Sequence, residues 1–255
     1  MSRLDDSSPL RFGVVIPVYN ESRLPRLLEK FDFAVTPDVV VVDDGSTDGS
    51  TEVASRYPVT VLRQERAGVG AALRTGVTYL KGKGFDVVVI MAGNSKDDPA
   101  DISALIGAIT RGADYVQGSR YLEAERAQDT PLKRRVITRS VARLWSIRFM
   151  KRLTDVTNGF RAYRLSLLDD PRIHIAQQWL NRYELEYYLH YKVLSLGYLY
   201  REVPVWKRYP TDGMPASKIK LARDYWSLLR PLVLLTLRLR NQRRSVLACT
   251  FHTSI

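Results

Sequence analysis

Cysteine and histidine are scarce in this chain, and their scarcity removes whole classes of protein. The single cysteine, Cys249, can neither close an intrachain disulfide nor build a cysteine metal cluster, which excludes a stapled secreted scaffold. The three histidines, His174, His190 and His252, are widely spaced and show no HExxH pattern, which disfavours a zinc hydrolase. Long apolar runs are missing too. The longest near the C-terminus, Pro231–Leu237, has seven residues between Arg230 and Arg238, whereas about 20 are needed to cross roughly 30 Å of hydrocarbon. No transmembrane helix is expected. Met1–Pro9 is polar and acidic with no apolar signal core, which points to the cytoplasm. Repeats and low-complexity segments are absent. The remaining composition, 45% hydrophobic and 26% charged over 255 residues, is that of a folded chain able to bury about 75% of its unfolded surface.

What the chain does carry is positive charge. Its 39 Lys and Arg against 27 Asp and Glu give a formal net charge of +12, which calls for an anionic partner. Nucleic acid, a membrane surface and a phosphorylated small molecule all qualify. Between Lys133 and Thr154 lie eight Lys and Arg and no acid; Arg238, Arg240, Arg243 and Arg244 form a second group. Solvated helix faces would explain both. No zinc finger, aromatic RNP strand or basic zipper accompanies them, so nucleic acid is not the expected partner.

Phe12–Val18, Val39–Val42, Val59–Leu62, Phe85–Met91 and Asp114–Gln117 read as strands, short and apolar. Ser22–Phe33, Asp48–Arg56, Val69–Lys81 and Pro99–Arg111 read as the helices between them. The four consecutive valines of Val39–Val42 suit a strand buried on both faces. This alternation predicts an α/β fold, a doubly wound, mainly parallel sheet with helices on both faces. Ligands in such sheets bind beyond the carboxyl ends of the strands, so the residues following each strand are the ones to inspect.

Pro17-Val18-Tyr19-Asn20-Glu21 follows the first strand, and Asp43-Asp44-Gly45-Ser46-Thr47-Asp48-Gly49 closes and follows the second. A helix start explains Gly45, a Ser46 or Thr47 cap and Asp48 at the dipole. It leaves Asp43 and Asp44, adjacent carboxylates that repel unless something pairs with them. A base N–H or a ribose hydroxyl would do so. Val15–Glu21 together with Val42–Asp48 resembles the nucleotide-sugar half of the family-2 glycosyltransferases, which have the GT-A fold. The resemblance continues through Arg66–Ala72, a glycine-rich helix start, then Gly118-Ser119-Arg120-Tyr121 and Asp155–Tyr163. It ends with Tyr183–Glu186, Glu202–Val205 and Ser217-Lys218, and so spans about residues 12–225. The set is most similar to the branch of dolichyl- and polyprenyl-phosphate mannose and glucose synthases.

That resemblance implies a site, position by position. Pro17, Tyr19, Glu21 and Asp44 match residues lining a base and ribose pocket, with Asp43 beside them and Gly68 at the glycine-rich start. Arg120 matches a position near an acceptor phosphate; Arg161 and Asp155 match a loop over the reacting groups. Ser217 and Lys218 match a segment that contacts phosphate, and Arg134 and Arg139 supply further cations for the acceptor. Guanidinium forks and lysine charges suit such work, although surface salt bridging would also explain the arginines.

One departure stands against these matches. The family carries Asp-x-Asp after its fourth strand, often with Gln two residues on, to hold a divalent cation on the donor pyrophosphate. Here the stretch is Met91-Ala92-Gly93-Asn94-Ser95-Lys96-Asp97-Asp98-Pro99, without either carboxylate and with Lys96 in place of Gln. Mg²⁺ and Mn²⁺ favour anionic oxygens, so metal dependence is expected to be weakened or lost, with Lys96 neutralising leaving-group charge. Asn94 and Asp97 are the alternative, holding a weak ion with the pyrophosphate. Asp97-Asp98-Pro99 also reads as a plain helix N-terminus.

The implied reaction is an inverting displacement that moves a hexose from GDP-mannose or a UDP-sugar to a lipid phosphate. An ionised phosphate needs cations around it; a hydroxyl acceptor needs a general base, for which Asp97, Asp98, Asp155, Glu184 and Glu186 are ambiguous. A hydroxyl acceptor and a non-catalytic nucleotide-sugar-binding protein are the alternatives. A sugar-nucleotide pyrophosphorylase is disfavoured, because its glycine-rich Arg-Leu loop does not follow the first strand. Arg134–Lys151 and Tyr225–Leu239 interleave cations with apolar residues, as amphipathic helices on anionic lipid do, so peripheral contact at the cytoplasmic membrane face is expected. The expected layout is an extension over 1–11 and one domain over 12–240, followed by a frayed tail over 241–255. Within the domain, 12–118 is the nucleotide-sugar half, 119–225 the acceptor half and 226–240 an interfacial helix. The loop Glu123–Pro131 is polar and is expected to lie over the site.

Overall fold

The computed structural model describes residues 10–36, 38–209 and 221–237. Ser217, Lys218 and the 241–255 tail lie outside the described residues. The short apolar runs form β1 (Phe12–Val18), β2 (Val39–Asp43), β3 (Thr60–Arg63), β4 (Val87–Ile90) and β5 (Tyr115–Ser119). Two further strands, β6 (Arg161–Arg164) and β7 (Tyr200–Pro204), complete a seven-stranded sheet in the order β3-β2-β1-β4-β6-β5-β7. β6 runs antiparallel to both its neighbours, whereas β1 to β4 pair in parallel and β5 pairs in parallel with β7. The mainly parallel sheet is as the alternation requires.

The helices are α1 (Leu24–Leu28), α2 (Ser50–Ala54), α3 (Val69–Gly82), α4 (Ile102–Thr110), α5 (Leu132–Phe149), α6 (Glu184–Leu196) and α7 (Leu221–Thr236). Strand residues alternate between two cores. Val15, Val40, Val42, Val88 and Ile90 face α3, α5 and α6, while Val14, Ile16, Val39, Val41, Val87 and Val89 face α1 and α4. Burial on both faces explains why these strands are continuous in apolar residues rather than alternating.

Two helices are shorter than their sequence spacing predicts. The chain leaves α1 before Asp32, whose Oδ1 accepts from the Ala34 N–H at 3.0 Å, a local turn that competes with helix. α2 starts after Gly49, which has φ 83° and cannot be helical, while Asp48 Oδ1 accepts from the Ser50 N–H at 3.1 Å. The expected interfacial helix also needs correction. Leu229, Leu232 and Leu235 of α7 pack on the core shared with α6, and Arg148 Nε donates to Thr236 Oγ1 at 3.1 Å, so this apolar face is already covered. Trp226 and Leu237 remain exposed.

His190 on α6 is fully buried among Trp145, Tyr115 and Tyr200, with ring centroids 5.0–5.2 Å away, and neither ring nitrogen has a hydrogen-bond partner among the described residues. Burial, with the Arg161 charge adding to it, holds its pKa well below the ordinary 6.5, so it is neutral when folded. The unfolded chain takes up that proton below pH 6.5 and the folded one does not, so stability falls as pH falls there, by up to about 1.4 kcal/mol per pH unit. His190→Phe is expected to flatten this acid limb in denaturant titrations across pH; parallel curves for the two proteins would show that His190 does not contribute.

Candidate active site

The loops at the carboxyl ends of β1, β2 and β4 are clamped to one another before any ligand arrives. The Asn20 N–H donates to Ser46 Oγ at 3.0 Å, Asn20 Oδ1 accepts from the Thr47 N–H at 2.8 Å, and the Glu21 N–H donates to Ser50 Oγ at 3.0 Å. The Arg66 guanidinium lies 3.5 Å over the Tyr19 ring, and a Cβ on Gly93 would sit 3.5 Å from Glu21 Cγ. Pro17, Tyr19, Glu21, Asp43, Asp44, Gly68 and Asn94 therefore gather along one rim of the sheet.

The two carboxylates closing β2 have partners inside the protein, which corrects the argument that only a ligand could pair with them. Asp43 Oδ1 accepts from the Ser46 N–H at 2.8 Å, Oδ2 from the Thr51 hydroxyl, and Arg63 Nε is 3.7 Å away. Burial works to raise its pKa, but these hydrogen bonds override it and hold the carboxyl below its ordinary value. Asp44 Oδ1 accepts from Gln64 Nε2 and the Ala67 N–H, and its Oδ2 from the Gly68 N–H, all at 2.8 Å. Asp44 thus fastens the glycine-rich turn to the end of β2. That turn is not an open cradle. The Gly70 N–H donates to the Asn181 carbonyl at 2.8 Å, and a Cβ on Gly70 would meet the Leu180 oxygen at 2.0 Å. The glycines are required because the chain before α6 presses on the start of α3.

The arginines of the resemblance are also inside. Arg120 and Asp155 are 1% and 0% exposed and form a fork, Nε to Oδ2 at 2.6 Å and Nη2 to Oδ1 at 2.8 Å. Arg120 donates further to Thr157 Oγ1 at 2.7 Å and to the Tyr209 hydroxyl at 3.0 Å. Burial works to raise the Asp155 pKa, but the Arg120 charge and its hydrogen bonds hold it below the ordinary value. Arg161 donates to the Tyr115 hydroxyl at 2.8 Å and the Asn158 carbonyl at 2.6 Å, and pairs with Glu186 Oε1 at 3.2 Å. Neither guanidinium is an exposed fork awaiting phosphate; both hold the loops around the crevice. Arg139 lies 5.0 Å over the Tyr121 ring on an exposed face.

The stretch after β4 meets a segment that the sequence reading passed over. Asp97 pairs with Lys207 as an antiparallel bridge, and the Arg208 N–H donates to the Lys96 carbonyl at 2.9 Å. Lys207 Nζ lies 2.6 Å from Asp97 Oδ1 and 2.8 Å from Asn158 Oδ1, all buried. Lys96, 3% exposed, points its ammonium at the Tyr209 ring, 5.5 Å from the centroid, and Arg134 from the first turn of α5 approaches the same ring at 5.8 Å. Burial, with Lys207 and Arg134 as like charges, pulls the Lys96 pKa down to about 7. Lys207 follows the carboxyl end of β7, a strand that the sequence alternation did not predict, so the rule applied to the other strands could not be applied there.

These residues do not fit a divalent cation. Ala92 has no ligand atom, and Asn94 Oδ1 accepts from the Lys96 N–H at 3.3 Å. Asp97 gives one oxygen to Lys207, and its Oδ2, without a partner among the described residues, lies in a cluster of ammonium groups. Asp98 Oδ1 accepts from the Ala100 N–H at 3.2 Å and caps the turn at Pro99, the plain helix-start reading. Among the described residues no three His, Cys, Asp or Glu side chains form a metal-holding group.

The sheet, with its loops converging on one rim, has the GT-A fold, which solved structures share. Glucosyl-3-phosphoglycerate synthase from Mycobacterium tuberculosis, in complex with Mn²⁺, UDP and glucosyl-3-phosphoglycerate, superposes with a TM-score of 0.65 at 19% identity, over 90% of this chain and 80% of that one. Mannosyl-3-phosphoglycerate synthase from Rubrobacter xylanophilus gives a TM-score of 0.65 at 16% identity, over 93% and 78%. Residues 13–170 match the family model described as Glycosyl transferase family 2, and the chain belongs to that family. Among curated relatives, the polyprenol monophosphomannose synthase of Mycolicibacterium smegmatis is 29% identical over 201 residues, 75% of each chain. The undecaprenyl-phosphate mannosyltransferase of Micrococcus luteus is 32% identical over 77% of this chain and 83% of its own length. The dolichol-phosphate mannosyltransferase of Pyrococcus furiosus is 32% identical, but the match takes in 49% of its length. Among the described residues no helix is long and apolar enough to cross a membrane.

Proposed function

We propose that this glycosyltransferase moves a hexose from a nucleotide sugar, GDP-mannose or a UDP-sugar, to the phosphate of a polyprenyl or dolichyl lipid, with inversion at the anomeric carbon. The observation that carries the reading is the state of the carboxylates. Asp97 is bound to Lys207, Asp98 caps a turn, Asp155 is locked to Arg120, Glu184 lies 3.4 Å from Arg230 and Glu186 is paired with Arg161. Four of the five lie against a cation, which favours their ionised form. Asp97 Oδ2 and Glu186 Oε1 accept no hydrogen bond among the described residues and burial raises the Glu186 pKa, so Glu186 is the base to test for a hydroxyl acceptor. A hydroxyl acceptor needs such a base, whereas a lipid phosphate brings its own ionised nucleophile. Its oxygen forms the new bond to the anomeric carbon, and the bond to the nucleoside diphosphate breaks with its electron pair on the departing phosphate. The three curated relatives named above carry polyprenol, undecaprenyl-phosphate and dolichol-phosphate in their names, which supports the same acceptor.

In this reading Pro17, Tyr19 and Glu21 line the nucleoside end, Asp43, Asp44 and Gly68 fix the walls, and Arg120, Asp155 and Arg161 position the loops. Arg139 faces the acceptor, and Arg134 stands where the acceptor phosphate and the donor diphosphate would meet. The exposed side of α5 bears Leu132, Val136, Leu144, Ile147 and Met150 among Lys133, Arg139, Arg143 and Arg148, a face suited to anionic lipid. Incubation with labelled GDP-mannose, UDP-glucose and UDP-N-acetylglucosamine is expected to move label into the organic phase only with polyprenyl phosphate present. Transfer to prenol or to free sugars, with the lipid phosphate inert, would reverse the assignment. NMR of the product reads the anomeric configuration.

A further inference from the structure

We propose that a buried cluster of Lys96, Lys207 and Arg134 takes the place of a divalent metal, so that this chain binds the diphosphate of its donor without one. The inference rests on the nucleotide-sugar reading above and deepens it. The metal-bearing neighbours are solved with Mn²⁺ or Mg²⁺, and the donor atoms here do not suit either ion. What stands there instead is positive. Lys96 is buried in the loop after β4, Lys207 is held beside it by Asp97 and Asn158, and Arg134 comes from α5 across the Tyr209 ring. The Arg134 Nε is buried without a hydrogen-bond partner among the described residues.

With Lys96 protonated, as its pKa of about 7 allows for part of the population at neutral pH, it, Lys207 and Arg134 leave an excess of positive charge over the one carboxylate of Asp97. Such an excess, largely removed from water, is unfavourable unless an anion completes it. A nucleoside diphosphate is such an anion, and the cluster follows β4, next to the β1 and β2 loops that would hold the nucleoside. As the sugar leaves, the bond electrons collect on the diphosphate oxygens, and fixed ammonium and guanidinium groups stabilise that charge. Asp97 then serves as the counter-charge that positions Lys207, not as a metal ligand.

Calorimetric titration with UDP and GDP tests this. In EDTA, one of the two is expected to bind with an affinity within about twofold of that in Mn²⁺, because one charge-assisted contact is worth about tenfold or more. Lys96→Gln is expected to weaken the diphosphate about 10–100-fold and to leave the free nucleoside unchanged. Its melting temperature is expected to stay or rise, since a buried like charge is removed; this separates lost binding from lost folding. The triple variant A92D/N94D/K96Q is expected to acquire a Mn²⁺ requirement for the same titration. Binding that vanishes in EDTA and returns with micromolar Mn²⁺ in the unaltered protein overturns the inference and leaves the donor reading intact. No binding of either diphosphate under both conditions overturns the donor reading as well.

Discussion

Asp155→Ala is expected to destabilise the protein by about 3–5 kcal/mol, lowering the melting temperature by roughly 6–20 °C. The cost comes from what is left behind. Arg120 is 1% exposed, and without Asp155 its guanidinium keeps the Thr157 and Tyr209 hydroxyls but no opposing charge. Asp155→Asn keeps the shape and loses the charge, so most of the loss remains. The paired replacement Arg120→Met/Asp155→Leu removes both charges and is expected to recover much of it, since a buried ion pair is often no more stabilising than an apolar one. Because the Asp155 pKa is lowered, the contribution is intact at neutral pH and fades only as pH falls below the ordinary carboxylate value of 3.8. Denaturant titration of the four proteins measures it; single variants within about 1 kcal/mol of the parent would show that the pair is not held as described. The function follows the same bond, because Arg120 also holds Tyr209, the ring against which Lys96 and Arg134 rest.

How much of this was legible in the chain depends on the kind of residue. The strands with valine runs were readable because burial on both faces leaves no polar alternation to mistake. β6, Arg161-Ala162-Tyr163-Arg164, was not, since its charged ends depend on partners distant in sequence: Arg164 Nη2 donates to the carbonyl of Ile109 in α4 at 3.0 Å and Arg161 to the Tyr115 hydroxyl of β5 at 2.8 Å. Asp43 and Asp44 were found as unusual, but their partners Thr51, Gln64 and Gly68 come from three separate places and no spacing rule joins them. The same holds for Lys207, whose meaning appears only when β7 is placed beside β5 and its end is brought against the loop after β4. Family resemblance singled out the loops that follow the strands. It described side chains as touching ligands where several, Arg161 above all, touch the protein.

Replacing Lys133, Arg143 and Lys151 together by alanine is expected to weaken partitioning onto anionic vesicles roughly 100-fold, at about 1 kcal/mol for each surface cation. All three are exposed and lie on or next to α5, and no acid lies between Lys133 and Thr154 in the chain to offset them. The choice of α5 over α7 follows from packing. Leu229, Leu232 and Leu235 of α7 pack on the core, whereas Leu132, Val136, Leu144, Ile147 and Met150 of the α5 segment are each more than half exposed. Those five side chains can enter the headgroup boundary while the cations stay with the phosphates. The attraction should fall steeply with salt, and neutral vesicles should retain the protein poorly. Leu144→Ser/Ile147→Ser should weaken binding to both kinds of vesicle, since it removes apolar area and leaves charge alone. Equal partitioning onto neutral and anionic vesicles, or no loss in the triple variant with its fold intact by circular dichroism, would disprove α5 as the contact. If α5 is the contact, the geometry carries a consequence for catalysis. The helix that lies on the lipid begins at the cation cluster, so an acceptor phosphate at the headgroup plane meets Arg134 without leaving the membrane surface.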